Sequence, residues 1–480
     1  MKLIDFSNHQ NREVRVEDVE EAYIAHLRQC AKQDAWYPLF HIAPPHGLCN
    51  DPNGLCQING TYHIYYQWFP LGPVHGLKHW YHVSTEDFIN YQTHGCALRP
   101  EDPQDYYGCY SGMSFLDGED RIVYYTGIDK QHQANVSYGS LDAYGNIQKQ
   151  GILVTLPKHV STENFRDPFV WKDEQGYHML VGGESLEHKG VLLCFHGATS
   201  TSFTYSGMVE IPEYPFGYML ECPNYMEFGE QGCLIFSPQG IQSNNRYDFR
   251  NVFSVVYMIG PKLSGTTLKA TSFYELDKGF DFYAPQLFQN EQGRYMLYAW
   301  LGNSKCEYPS DINQWAHMLS IPREVHIVDD RLYQLPLPEL ATLRTVQHLV
   351  RDEMELVQQG YEIELDGKEP FTLFIENEAG EHISFSMTDE AFILDRTAMS
   401  HMYNEQYGTV RYAKRELKQH SNIRIFLDTS SIEIFCEDGR ISMTARYFLE
   451  HRSKLRIEHA QAIVWELKPI ELPYPDTYAR

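Results

Sequence analysis

A chain of 480 residues exceeds one ordinary core, and its length suggests about two or three domains. Its 39 basic against 64 acidic residues give a net charge of −25, which argues against nucleic acid or anionic membrane as the main partner and requires a local basic cluster for any anionic ligand. No run of about 18 apolar residues and no charged-then-apolar leader is present, so the protein is expected in the cytoplasm, with ten cysteines, none in a C-x-x-C pair, as reduced thiols.

Residues 1–35 read as a helical extension: Val16, Val19, Tyr23, Leu27 and Cys30 recur three or four apart among polar residues, which predicts an amphipathic helix over 16–31. From 36 to 335 alternating aromatic-rich runs and Gly turns read as strands. Within that span one pattern occurs five times: NDPNGLCQINGTYHIYYQW, YSGMSFLDGEDRIVYYTG, RDPFVWKDEQGYHMLVGG, ECPNYMEFGEQGCLIFSP and YAPQLFQNEQGRYMLYAW. Pro52, Gly112, Pro168, Pro223 and Pro285 mark equivalent positions, with steps of 55 to 62 residues. A period in that range, filled with short strands, predicts a five-bladed β-propeller. Residues 336–350, with two prolines and a helix-like spacing of Leu340, Leu343, Val346 and Leu349, read as a linker. Residues 351–480 alternate plainly and predict a C-terminal β-sandwich, giving an all-β protein.

Radial repetition would bring Asp51, Asp167 and Glu221 to one cavity. A single Asp-Pro or Asn-Gly turn is ordinary loop punctuation, but three carboxylates in one repeat register point to chemistry. Glycoside cleavage needs an ionised carboxylate on one side of the bond and a proton donor on the other. Asp51, among amides and turn donors, suits the nucleophile; Glu221, between Leu220 and Cys222, suits a general acid kept protonated by a poorly solvating surround. Asp167 follows Arg166, whose cation is expected to hold it ionised as an acceptor for hydroxyls. Cys222 would either tune Glu221 or simply pack.

NDPNG at 50–54, FRDP at 165–168, ECP at 221–223, FDFYAPQ at 280–286, QWAHMLSIPRE at 314–324 and IRIFLDTSSIEIFCEDG in the C-terminal third together resemble glycoside hydrolase family 32, the β-fructofuranosidases. The resemblance covers nearly all of the chain after about residue 36 and implies a propeller with a sandwich. It further implies a retaining mechanism with Asp51 as nucleophile, Glu221 as acid/base and Asp167 as transition-state stabiliser. By the same likeness Asn50, Gln67, Trp80, Tyr110, Ser111, Arg166 and Trp300 would bind substrate, a small sugar. QWFPLGPVHGLKHW (67–80) is similar to bacterial family members acting on sucrose 6-phosphate. A broader β-fructosidase or fructosyltransferase, and a sugar-binding protein without turnover, stay open as alternatives. Leu48-Cys49 before NDPNG, Tyr81 and Met113 depart from the family pattern and affect the shape of the pocket.

Lys78 with His75 and His79 is the candidate phosphate cluster, against the bland reading of a solvated lysine. His75, His79 and His82 would form a metal face only on a helix, which Gly76, Trp80 and Tyr81 argue against, so no metal and no cofactor is expected. Trp80 and Trp300 read either as sugar-stacking faces or as core. Oligomeric state is not legible.

Overall fold

The computed structural model describes residues 2–475 apart from 119, 213, 271–272 and 418–420, so the last five residues of the predicted 351–480 unit lie outside the described residues. Between Gly47 and Pro336 the strands form five sheets of four or five strands. Each opens with one copy of the repeated pattern: Gly47–Ile58, Gly108–Asp117, Ser161–Asp173, Gly217–Phe228 and Tyr283–Gln289. Burial runs almost unbroken along Gly47–Ile58 and Tyr283–Gln289, as in strands packed on both faces. These five first strands neighbour one another in sequence order, and the fifth returns to the first, so they close a ring. A late strand, Trp315–Ala316, pairs in parallel with Gly47–Leu48 and ties the last sheet to the first.

Side chains staple the first strands where no ladder joins them. Leu55 N–H donates to Gln286 Oε1 (2.9 Å), Gln286 Nε2 to the Gly112 carbonyl (2.5 Å), Gly112 N–H to Asn53 Oδ1 (3.0 Å) and Leu287 N–H to Asn224 Oδ1 (2.8 Å). Buried backbone groups near the ring centre are thereby satisfied without a sheet.

Two further six-stranded sheets, between Arg344 and Leu467, pack face to face over fully buried Ile363, Leu373, Phe385, Ile425, Ile434 and Leu455. They are fastened to the ring by buried charge. His41 contacts Asp428 (2.7 Å) through Nδ1 and Glu433 (2.9 Å) through Nε2; Glu433 also accepts from Ile321 N–H (2.8 Å) and from the Arg323 guanidinium. Asp277 accepts from Thr444 N–H (2.9 Å) and its hydroxyl (2.6 Å), and Asp281 from Arg446 N–H (2.8 Å) and Tyr403 (2.5 Å).

Two expectations change. The predicted helix over 16–31 is a 3₁₀ turn at Val16–Asp18 followed by an α-helix at Glu21–Gln33, because Val19, β-branched and extended, breaks the run. Its Tyr23, Ile24 and Leu27 still bury against Leu48, Phe69, Leu71 and Leu77. The predicted linker at 336–350 is a 3₁₀ turn, Pro338–Leu343, followed by an edge strand, Arg344–Val350, paired with Ala462–Leu467. Leu340 and Leu343 belong to the turn and are buried, whereas Val346 and Leu349 stand exposed on the strand, so the spacing joined two unlike elements. No helix among the described residues is long and apolar enough to cross a membrane.

Candidate active site

Every first strand breaks register at the same place in its repeat: between Cys49 and Pro52, Cys109 and Gly112, Arg166 and Phe169, Glu221 and Asn224, and Tyr283 and Gln286. A bulge inserts an unpaired residue and re-aims its side chain. Five bulges on five neighbouring strands turn residues from five sheets towards one centre. Asp167, Cys222 and Ala284, each before the motif proline, have φ of +66°, +47° and +46°, values that cost a residue with a Cβ and cluster at functional sites.

The centre opens into a cavity of about 470 Å³ whose lining includes Asp51, Asp167 and Glu221 together with Asn50, Gln67, Tyr110, Arg166 and Trp300. The Cys222 Sγ lies 3.7 Å from Asp51 Oδ2 and 3.5 Å from Asp167 Oδ2, so one sulfur joins two of the three acids, and Glu221 is its chain neighbour. Asp51 also accepts from Ser111 Oγ (2.5 Å) and Asn50 Nδ2 (3.2 Å). Asp167 accepts from Cys222 N–H (3.0 Å). Glu221 takes Arg166 Nε (2.9 Å) and Nη2 (2.7 Å) on one oxygen, and Gln239 Nε2 (2.5 Å) and the Tyr283 hydroxyl (2.6 Å) on the other.

Two sequence expectations about charge are corrected here. Arg166 reaches across the sheets to Glu221 instead of its neighbour Asp167, and Glu221 sits among four donor contacts, not in a poorly solvating surround. Asp167 is pushed up to about 7, first by burial, against which Arg166 pulls down while Glu221 and Asp51 push further up. Asp51 is also raised, by burial first and by Glu221, with Ser111, Asn50 and Lys78 opposing. Asp51 and Asp167 each feel the neighbouring acids, so their two titrations are linked.

Lys78 is a buried part of the cavity wall. Its Nζ donates to Asn50 Oδ1 (2.6 Å) and to His75 Nδ1 (2.8 Å), and burial brings its pKa down to about 7 despite the pull of Asp51. Asn50 Nδ2 donates in turn to Gln67 Oε1 (2.9 Å), Gln67 Nε2 to Ser111 Oγ, and Ser111 to Asp51. Lys78 and His75 line the cavity, but His79 does not: its Nδ1 is held by the Leu77 carbonyl (2.9 Å), and it lines a second cavity with Arg15 and Arg99. His82 bonds His63 (3.0 Å), so the three histidines diverge. Trp80 is also not in the cavity wall: it is fully buried and donates its indole N–H to the Tyr110 carbonyl (3.0 Å), holding that wall from behind.

Several lining residues escape the sequence reading. Tyr283 sits inside a quoted motif but carries no charge to mark it, and Gln239 comes from the far end of an ordinary second strand, Gln231–Gly240. His9, Arg12 and Glu13, from the N-terminal segment, and His132 and Ser304, from loops, form the outer part of the wall. No local pattern announces a residue recruited from a distant surface.

Comparison with known proteins agrees over most of the chain. Residues 41–336 match the N-terminal domain of glycosyl hydrolases family 32 and residues 342–463 match the family's C-terminal domain. The chain is 38% identical over 470 residues, 96% of this chain and 96% of the relative, to a sucrose-6-phosphate hydrolase of Vibrio alginolyticus. It is 33% identical over 439 residues, 87% of this chain and 90% of the relative, to one of Bacillus subtilis. A solved sucrose-6-phosphate hydrolase from Lactobacillus gasseri superposes with a TM-score of 0.91 at 28% identity, covering 96% of this chain and 99% of that one. A family 32 β-fructofuranosidase of Bombyx mori superposes at 0.82 with 25% identity, covering 95% and 98%. With both domain matches in place and three carboxylates gathered in one cavity, the chain belongs to glycoside hydrolase family 32.

Proposed function

We propose that the protein hydrolyses the β-fructofuranosyl bond of sucrose 6-phosphate, giving glucose 6-phosphate and fructose with retention of configuration. The observation that carries this reading is the gathering of Asp51, Asp167 and Glu221 in one cavity, the first two joined through the Cys222 sulfur. The phosphorylated substrate is supported by the named relatives in Vibrio alginolyticus and Bacillus subtilis, similar over most of their length. The five ringed sheets are read as the blades of a β-propeller, and the two six-stranded sheets as a β-sandwich, with the cytoplasm as the compartment. Ten unpaired cysteines suit a reducing compartment.

In this mechanism an Asp51 carboxylate oxygen attacks C2 of the fructosyl unit while Glu221 gives its proton to the glycosidic oxygen, and glucose 6-phosphate departs. Glu221, now ionised, takes a proton from water, which attacks C2, breaks the ester to Asp51 and frees fructose. Arg166, Gln239 and Tyr283 hold Glu221 in place through both steps. Asp167, next to the developing charge, accepts from fructose hydroxyls. The test is fructose release by the purified protein from sucrose 6-phosphate. Asp51→Asn removes the nucleophile and is expected to lower kcat by about 10³-fold or more. Near wild-type turnover in that variant would sink the proposal.

A further inference from the structure

We propose that the N-terminal segment His9–Glu13 supplies the phosphate-binding part of the cavity, with Arg12 as its principal cation and His9 and His132 beside it. This rests on the reading of the substrate as a phosphorylated sugar. A cation is needed because the chain carries −25 overall and places three of its carboxylates in this cavity. Lys78 does not fill the role, since its ammonium is buried and committed to Asn50 and His75. His79 belongs to another cavity.

Arg12 is differently placed. It is half-buried in the outer wall, its Nε donates to the Phe6 carbonyl (3.2 Å), and among the described residues no carboxylate pairs with its two Nη groups, which leaves a planar fork for an oxyanion. The segment is built into the site. The Arg12 carbonyl accepts from Leu77 N–H (3.0 Å), and Phe6 packs edge-on against Phe69 at 5.5 Å. A Cβ on Gly76 would stand 2.7 Å from the Arg12 carbonyl, and one on Gly72 2.4 Å from the Phe6 ring, so two glycines permit the close approach. His132, also in the wall, is stacked on Tyr107 at 3.7 Å. The Arg12 charge is felt inside the cavity: burial first, then the cations of Lys78 and Arg12 among others, drive His75 well below the usual imidazole range. Glu13 is the one carboxylate on this outer part of the wall.

The experiment compares Arg12→Gln and Arg12→Lys with wild type in the full-length protein, using sucrose 6-phosphate and sucrose as substrates and glucose 6-phosphate and glucose as inhibitors. For Arg12→Gln the KM for sucrose 6-phosphate is expected to rise about 10-fold or more with kcat within about threefold. The glucose 6-phosphate inhibition constant should rise in parallel, while sucrose kinetics and glucose inhibition stay within about twofold. Arg12→Lys should recover part of the loss. Equal losses on both sugars would show a merely structural role and overturn the proposal, as would no loss on either. If wild type prefers the phosphorylated sugar and Arg12→Gln keeps that preference, the subsite is wrong and the substrate reading stands; if wild type has no preference, both fall.

Discussion

A protonated lysine can only donate, and that single fact orients the polar groups next to Asp51. With Lys78 on Asn50 Oδ1, the Asn50 amide must turn its NH₂ to Gln67 and Asp51, Gln67 must turn its NH₂ to Ser111, and the Ser111 proton must go to Asp51. Lys78→Gln removes both the anchor and a charge that lowers the Asp51 pKa. The acidic limb of the kcat/KM profile is therefore expected to move to higher pH, with kcat/KM at the optimum down about 10-fold and a thermal midpoint near that of wild type. An unmoved limb would remove Lys78 from this role. The three acids were legible because each sits in a motif, whereas their protonation was not. Arg166 is next to Asp167 in sequence but pairs with Glu221, 55 residues on, and only the turn of the bulge decides between them. Trp80 shows the same limit, since a tryptophan beside a motif reads alike whether its ring faces sugar or supports the wall from behind.

At the scale of the strand, the device that makes the site is the bulge repeated in five first strands. Gly112 shows how little room it leaves: a Cβ there would lie 1.9 Å from the Tyr124 carbonyl and 2.6 Å from the Tyr125 Cα. Gly112→Ala must push two strands apart and is expected to cost about 1–3 kcal/mol, read from the denaturant midpoint, and to lower activity through the adjacent Ser111. Unchanged stability would mean that the second sheet yields more easily than its packing implies. Strand positions were legible from period-two alternation and Gly turns, and the repeat spacing placed all five sheets. The bulges were not, because a register shift is a relation between two strands and leaves the composition of each unaltered. The 336–350 stretch misled for a related reason: four leucines and valines at helical spacing served a turn and then an edge strand.

For the molecule as a whole, the motifs at 314–324 and in IRIFLDTSSIEIFCEDG meet away from the reaction centre. Arg323 and Ile321 from the first contact Glu433 from the second, and His41 joins both Glu433 and Asp428. Burial alone would lower the His41 pKa, but the two carboxylates raise it to about 9 from 6.5, while Asp428 and Glu433 are held below their usual range. Because the folded pKa of His41 is raised, its contribution is fully present below 6.5 and is lost as pH rises through about 9; the carboxylates' contribution is lost at the acid end. His41→Gln should lower Tm by about 3–5 °C at pH 6.5 and flatten the fall in Tm between pH 6.5 and 9. An equal deficit at every pH would show that His41 is not charged there. This junction also sets a schedule. Synthesis runs from the N-terminal end, so His41 leaves the ribosome 387 residues before Asp428, and Ile4, Phe6 and Val14 precede Phe69, Leu71 and Leu77, the apolar surface they cover. The earliest-made parts of the active-site wall and of the ring must therefore wait for partners made later, and the last-made sheets act as the latch that ends the waiting.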